Sequence, residues 1–213
     1  MRLLLPCYDL KLVAPYLEAA ALCPSTVILN PWSGPGKALD REWKSAIGKF
    51  LKTPFCSLLG YVDSVQWPDD GPNGGAVKKA RPKTVTEMQD EIGVWIKVYG
   101  ISRIFADDVT TRPKIVGLSA VNPGSAPSWK PEIGQIVVTH ETNGYSFGMP
   151  CVTVDKASQA VMALGEPDYR KPLGVAQARK IGLFFATNAP DSSHCYDQPP
   201  VYLKEMAKEA KKI

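Results

Sequence analysis

The stretch Arg103-Ile104-Phe105-Ala106-Asp107-Asp108 sets a short strand-type run directly against two carboxylates. A carboxylate at the end of an apolar strand is costly unless it is paired or hydrogen-bonded, so this ending calls for a partner or a task. The next apolar run, Ile115 to Val121, ends at Asn122-Pro123-Gly124. Only 14 positions separate Asp108 from Asn122, and Pro113 interrupts them. A full crossover helix does not fit there. The stretch therefore predicts two strands whose connecting helix is short or missing.

The same pattern, an apolar run closed by polar residues, recurs on both sides. Leu3 to Cys7 ends at Tyr8-Asp9, Thr26 to Leu29 at Asn30-Pro31, and Phe55 to Val62 at Tyr61-Val62-Asp63. Gln135 to His140 ends at Glu141, Ala160 to Leu164 at Gly165-Glu166, and Ile181 to Ala186 at Thr187-Asn188. Helical spacing fills several intervals. Val13 to Leu22 is one such segment. Asp40 is an N-cap for Arg41 to Leu51, whose apolar stripe is Trp43, Ile47, Phe50 and Leu51. Thr84 with Glu87 forms a capping-box pattern for a helix reaching Tyr99, and a terminal helix covers Val201 to Lys212. Eight strands alternating with helical segments predict an α/β fold with a parallel sheet, closed as a (β/α)8 TIM-like barrel. At 213 residues in all, about 27 per unit, one domain spanning 1–213 accounts for the chain.

Composition narrows the function. The 25 Lys+Arg and 21 Asp+Glu leave a net charge of +4, and hydrophobic residues make up 45%, ample for a core. The one basic cluster, Lys204, Lys208, Lys211 and Lys212, is interleaved with Glu205 and Glu209 and reads as a solvated helix end, so no nucleic-acid partner is indicated. No stretch approaches the ~18 apolar residues of a membrane span. The opening Met1-Arg2-Leu3-Leu4-Leu5-Pro6 is too short for the apolar core of a signal peptide and reads as a first strand, so either the protein stays inside the cell or a leader precedes it. Cys7, Cys23, Cys56, Cys151 and Cys195 form no C-x-x-C pair and read as buried free thiols. Ser33-Gly34-Pro35-Gly36-Lys37-Ala38 lacks the spacing of a phosphate loop, and two histidines, His140 and His194, give no zinc pattern. Neither a cofactor nor a metal is expected.

In a parallel barrel all the strand ends converge on one rim, where active sites lie. That places Tyr8, Asn30, Tyr61, Asp107, Asp108, Asn122 and Glu141 together. Facing carboxylates, one protonated and one ionised, are what glycoside hydrolysis requires, and their mutual repulsion separates their pKa values in the needed direction. Trp32, Trp67 and Trp129 fall in loops on the same rim, where flat aromatic faces can stack on sugar rings. His140 precedes Glu141, so its side chain starts on the opposite face, towards the helices. The Gly- and Pro-rich segment Ser64 to Lys83 reads as a mobile loop or lid. Glu141 follows the apolar run Ile136 to Val138, which predicts a raised pKa and the proton-donor role. Asp107, within reach of Asn30, Asn122 or Tyr61, is then the ionised carboxylate.

Leu3-Leu4-Leu5-Pro6-Cys7-Tyr8, Ile28-Leu29-Asn30-Pro31-Trp32-Ser33-Gly34-Pro35-Gly36 and Leu59-Gly60-Tyr61-Val62 resemble the spherulin-4 family. So, in family order, do Ile104-Phe105-Ala106-Asp107-Asp108, Val121-Asn122-Pro123-Gly124 and Val137-Val138-Thr139-His140-Glu141. The resemblance implies a (β/α)8 barrel and a glycoside hydrolase acting on a galactosamine-containing exopolysaccharide, usually secreted or surface-attached. It also implies that Asp107 and Glu141 are the catalytic acids. Position 108 departs from the family, with Asp108 where Glu is common, and the region after the fourth strand is shortened. The readings are therefore two. One is a hydrolase of an amino-sugar polysaccharide, with Asp108, Asn30, Tyr61, Asn122, Tyr8 and Trp32 binding substrate. The other is a glycan-binding or structural barrel that has lost turnover.

Overall fold

The computed structural model describes residues 1–66, 80–109, 115, 117–123, 127, 129–143, 154–189 and 195–212, with the backbone alone at 142 and 143. Trp67, Pro113, Cys151, His194 and most of the Ser64–Lys83 segment lie outside the described residues. Eight parallel strands form a closed barrel: β1 (Arg2–Cys7), β2 (Ser25–Leu29), β3 (Cys56–Asp63), β4 (Ile104–Asp107), β5 (Ala120–Val121), β6 (Ile136–Asn143), β7 (Gln159–Leu164) and β8 (Leu183–Ala186). Each pairs with the next in sequence, and β8 closes on β1 through Arg2 opposite Leu183 and Leu3 opposite Phe184. This is the (β/α)8-like barrel that the eight apolar runs predict.

Among the described residues five α-helices clothe it: α1 (Val13–Leu22), α2 (Arg41–Leu51), α3 (Val85–Val94), α4 (Arg170–Ala178) and α5 (Leu203–Lys211). They follow β1, β2, β3, β7 and β8. Among the described residues no helix follows β4, where the sequence predicts a short or missing one, and none follows β5 or β6 beyond the 3-10 turn Lys156–Ser158. Asp40 caps α2 by accepting from the backbone N–H groups of Glu42 and Trp43, and Thr84 and Glu87 form the capping box of α3. The helix α4 is not apparent in the sequence because Pro172 and Gly174 interrupt its pattern. Pro172 is tolerated because it falls in the first turn, where the N–H has no intrahelical partner to lose.

Two strands are shorter than their apolar runs. The Ile115–Val121 run contributes only Ala120 and Val121, because Gly117 turns with φ +80° just before them. The Ile181 run enters the sheet at Leu183. Gly182 lies so close to the 3-10 turn that a Cβ there would fall 1.9 Å from the carbonyl oxygen of Ala157.

Parallel pairing fixes which side chains enter the barrel, since partners in register share a face. Tyr61 pairs with Phe105 and Asp63 with Asp107, so these four share one face, and the Tyr61 and Phe105 rings meet at 5.9 Å. On the other face of β3, Gly60 leaves room for Trp95, since a Cβ there would lie 2.5 Å from the indole. Trp95 is fully buried and donates from Nε1 to the Tyr61 carbonyl at 2.8 Å. The outer wall therefore clamps the strand that carries Tyr61 and Asp63. Among the described residues no helix is long and apolar enough to cross a membrane.

Candidate active site

Asp107 ends β4 on the barrel's inner face. Its Oδ2 accepts from the Tyr61 hydroxyl at 2.9 Å, and its Oδ1 accepts from the backbone N–H of Asp108 at 3.0 Å. Asp108 adopts φ +54°, a left-handed conformation that Asp tolerates better than most residues. That turn ends the strand, keeps Asp108 from following Asp107 into the barrel, and presents its carbonyl to the Ser64 hydroxyl at 2.7 Å. Asp63, buried beside this group, accepts from the backbone N–H of Val65 at 2.8 Å. Burial, then the charges of Glu141 and Asp108, push the Asp107 carboxyl up to about 7; the Tyr61 hydrogen bond opposes the rise and Asp63 adds to it.

Glu141 reaches the same space by a different device. Val138 pairs with Ala160, His140 with Val161 and Glu141 with Met162, so Thr139 is an extra residue in β6. Strict alternation from Val138 would turn Glu141 outward. The bulge shifts the phase by one and brings Glu141 to the same face as Val138. Both Glu141 oxygens then find donors. Asn122 Nδ2, at the end of β5, donates to Oε2 at 2.6 Å, and the Tyr196 hydroxyl donates to Oε1. Thr139 is itself satisfied by the Ala160 carbonyl at 3.3 Å. His140 lies on the outer face, where burial and then the charge of Arg179 lower its pKa.

A tyrosine arc joins the two carboxylates. The Tyr8 ring packs against Tyr61 at 5.6 Å and against Tyr196 at 5.2 Å. Burial raises all three phenols well above their usual range, and the charges of Asp107 and Glu141 raise Tyr8 further. These hydroxyls stay protonated, and those of Tyr61 and Tyr196 donate to the two carboxylates. Of the expected rim residues, Tyr8, Tyr61, Asp107, Asp108, Asn122 and Glu141 come together in this way. Asn30 is buried, and its Oδ1 is engaged by the backbone N–H of Gly34 at 2.8 Å, where it shapes the loop after β2. The contacts of Trp32 are with that same loop. Trp129 packs against the core rather than standing free on the rim.

Nothing in the sequence marks Tyr196 as a site residue. It lies ten residues past the end of β8, in Asp191-Ser192-Ser193-His194-Cys195-Tyr196, where no periodicity marks it. The sequence predicts the proton on Glu141 and the charge on Asp107; in the structure the Asp107 carboxyl is raised, and Asn30, one of its expected donors, serves its own loop. The Tyr61 bond alone does not offset burial among three other acids. Cys7, Cys23, Cys56 and Cys195 are free thiols, and burial pushes Cys7 up to about 12 and Cys56 to about 11, far from a reactive thiolate. Among the described residues no three His, Cys, Asp or Glu side chains gather as metal ligands.

No family model and no curated protein sequence matches the chain. Among solved structures, the crystal structure of Aspergillus clavatus Sph3 in complex with GalNAc matches with a TM-score of 0.71. The match covers 99% of this chain and 97% of that one at 16% sequence identity. The barrel is therefore Sph3-like in fold over its whole length.

Proposed function

We propose that the protein is a glycoside hydrolase that cuts an amino-sugar polysaccharide of the galactosamine-containing type. The observation that carries this reading is a carboxyl held up to about 7, Asp107, in the electrostatic reach of a second carboxylate, Glu141, at the strand ends of one barrel. Two carboxyl groups with opposed protonation are the working parts of glycosidic cleavage. The likeness to a barrel crystallised with GalNAc supports an amino sugar as the ligand, and the spherulin-4 resemblance supports the same polymer class.

In this mechanism Asp107 gives its proton to the glycosidic oxygen as the bond to the anomeric carbon breaks. Glu141, with Asn122 and Tyr196 holding its oxygens, faces that carbon. It either attacks directly or takes a proton from the attacking water, and one water is consumed per bond cut. Tyr8, Tyr61 and Asp108 line the mouth as substrate contacts. Reducing-end release from acetylated and deacetylated galactosaminoglycans tests the proposal, and the anomer first formed separates retention from inversion. If the polymer binds but no reducing ends appear, the barrel is a glycan-binding module and the hydrolase reading fails.

A further inference from the structure

The loop after β2 carries an aromatic platform that the catalytic mouth does not use. Trp32 is 46% exposed, and one side of its indole rests on Gly36. A Cβ at Gly36 would lie 2.9 Å from the indole Cδ1, and Gly36 itself has φ +71°, so both its conformation and the close approach require glycine. The loop is braced from within by the Asn30–Gly34 hydrogen bond. An exposed indole held this firmly loses little freedom when a ligand stacks on it.

Gly36 and Ser33 also line a groove of about 370 Å³ that runs between this loop and α3, with Lys37, Gln66, Asp90, Glu91 and Val94 among its walls. The groove is open, and its lining is more apolar than polar, with charged groups set among apolar stems. Lys83 and Glu91 pair with each other at 2.7 Å, whereas Lys37 and Asp90 enter no ion pair among the described residues. It flanks the mouth on the β2–β3 side. Gly34 sits against the Tyr61 carbonyl, and Ser64, which precedes the Val65–Gln66 strand, binds the Asp108 carbonyl. Trp32 adjoins the groove through Gly36, which its indole contacts and which lines the groove.

We propose that this groove is a distal subsite for the same polysaccharide, holding a sugar unit beyond those at the carboxylates, with Trp32 as its stacking platform and Asp90 and Lys37 as hydrogen-bonding partners for hydroxyl or amino groups. It rests on the proposed hydrolase reading for the identity of the polymer. The subsite confers a preference for long chains over short ones.

The test compares a long galactosaminoglycan with an oligosaccharide too short to leave the mouth. Trp32→Ala should raise KM for the polymer about tenfold more than KM for the short substrate, the loss of one aromatic contact. Asp90→Arg, an exposed position that obstructs the groove without touching the loop, should do the same. Equal changes on both substrates, or none on the polymer, overturn the subsite. Binding is measured in parallel with Glu141→Gln protein, by affinity electrophoresis in the polymer and by titration with the short oligosaccharide. If wild-type protein binds the polymer without cleaving it, hydrolysis fails and the subsite is judged by whether Trp32→Ala and Asp90→Arg weaken polymer binding selectively. If no polymer binding is found, the subsite is refuted.

Discussion

The two sides of the barrel mouth solve one problem in opposite ways. On the β3–β4 side the wall is thick: Trp95 clamps β3 from outside, and Asp63, Asp107 and Asp108 crowd together with one tyrosine hydroxyl donating to Asp107. On the β5–β6 side no helix covers the strands among the described residues, β5 is two residues long, and a bulge turns Glu141 inward to meet two donors. Chemically similar side chains on one rim thereby acquire different surroundings. Acid crowding and burial favour a proton on Asp107, while Glu141 is held by two donors.

The strongest way to break this contrast is to neutralise each side in turn. Asp107→Asn and Glu141→Gln should each lower kcat on the polysaccharide by about 10²–10⁴-fold. Circular dichroism should remain that of the folded barrel. Near-normal turnover in either variant would remove that residue from the chemistry. If the enzyme retains configuration, added azide should give a glycosyl azide of inverted configuration from the variant lacking the nucleophile, expected to be Glu141→Gln, and one of retained configuration from the variant lacking the acid.

Tyr196→Phe removes one of the two donors to Glu141 and leaves the ring stacked on Tyr8. A drop in kcat of roughly 10-fold is expected, the scale of one charge-assisted hydrogen bond of about 1.5 kcal/mol. A positioning role predicts that the loss appears in kcat more than in KM. An unchanged kcat would make Tyr196 a packing residue only.

The sequence shows the barrel clearly and the site in part. Every strand announces itself, because a strand buried on both faces reads as a continuous apolar run and its C-terminal end reads as a break to polar residues. Asp107, Asn122 and Glu141 are found that way. Three things are not. The bulge at Thr139 leaves no mark in Ile136-Val137-Val138-Thr139-His140-Glu141, since the extra residue shows only against its partner strand. Tyr196 arrives from a loop without periodicity. The surroundings of each carboxylate depend on which donors it obtains, and Asn30 and Asn122, alike in sequence, end on different tasks: one braces a loop and the other holds Glu141.

A smaller effect concerns stability. The Asp107 carboxyl moves from an unfolded value of 3.8 to about 7 in the fold. Between those values the folded state binds the proton more tightly than the unfolded state, so stability falls as pH rises from about 4 to 7 and stays reduced above it. Three units correspond to at most ~4 kcal/mol, and solvent at the mouth reduces that, so Asp107→Asn is expected to stabilise the protein by about 1–2 kcal/mol at pH 8. At pH 3 the gain should vanish. Thermal melts at both pH values check this, and equal Tm differences at the two would show that Asp107 is not strained by ionisation.

The smallest expected effect isolates the neighbour that makes the β4 side acidic. Asp108 contributes to the elevation of Asp107 after burial and Glu141. Its own backbone is left-handed, a conformation that Asn accepts as readily as Asp, so Asp108→Asn removes a charge without disturbing the turn. The backbone N–H to Asp107 and the carbonyl to Ser64 both remain. With one negative charge gone, Asp107 gives up its proton more easily. The alkaline limb of kcat/KM, which reports the acid in the free enzyme, should then move to lower pH while the plateau rate changes little. Asp108→Glu keeps the charge and should keep the limb in place, at the cost of straining the turn. Raising the ionic strength should narrow the difference between Asp108→Asn and the parent, because part of the Asp108 charge faces solvent. If instead the limb stays fixed in Asp108→Asn while KM rises, Asp108 acts on the substrate alone and the acidity of the β4 side comes from burial and Glu141.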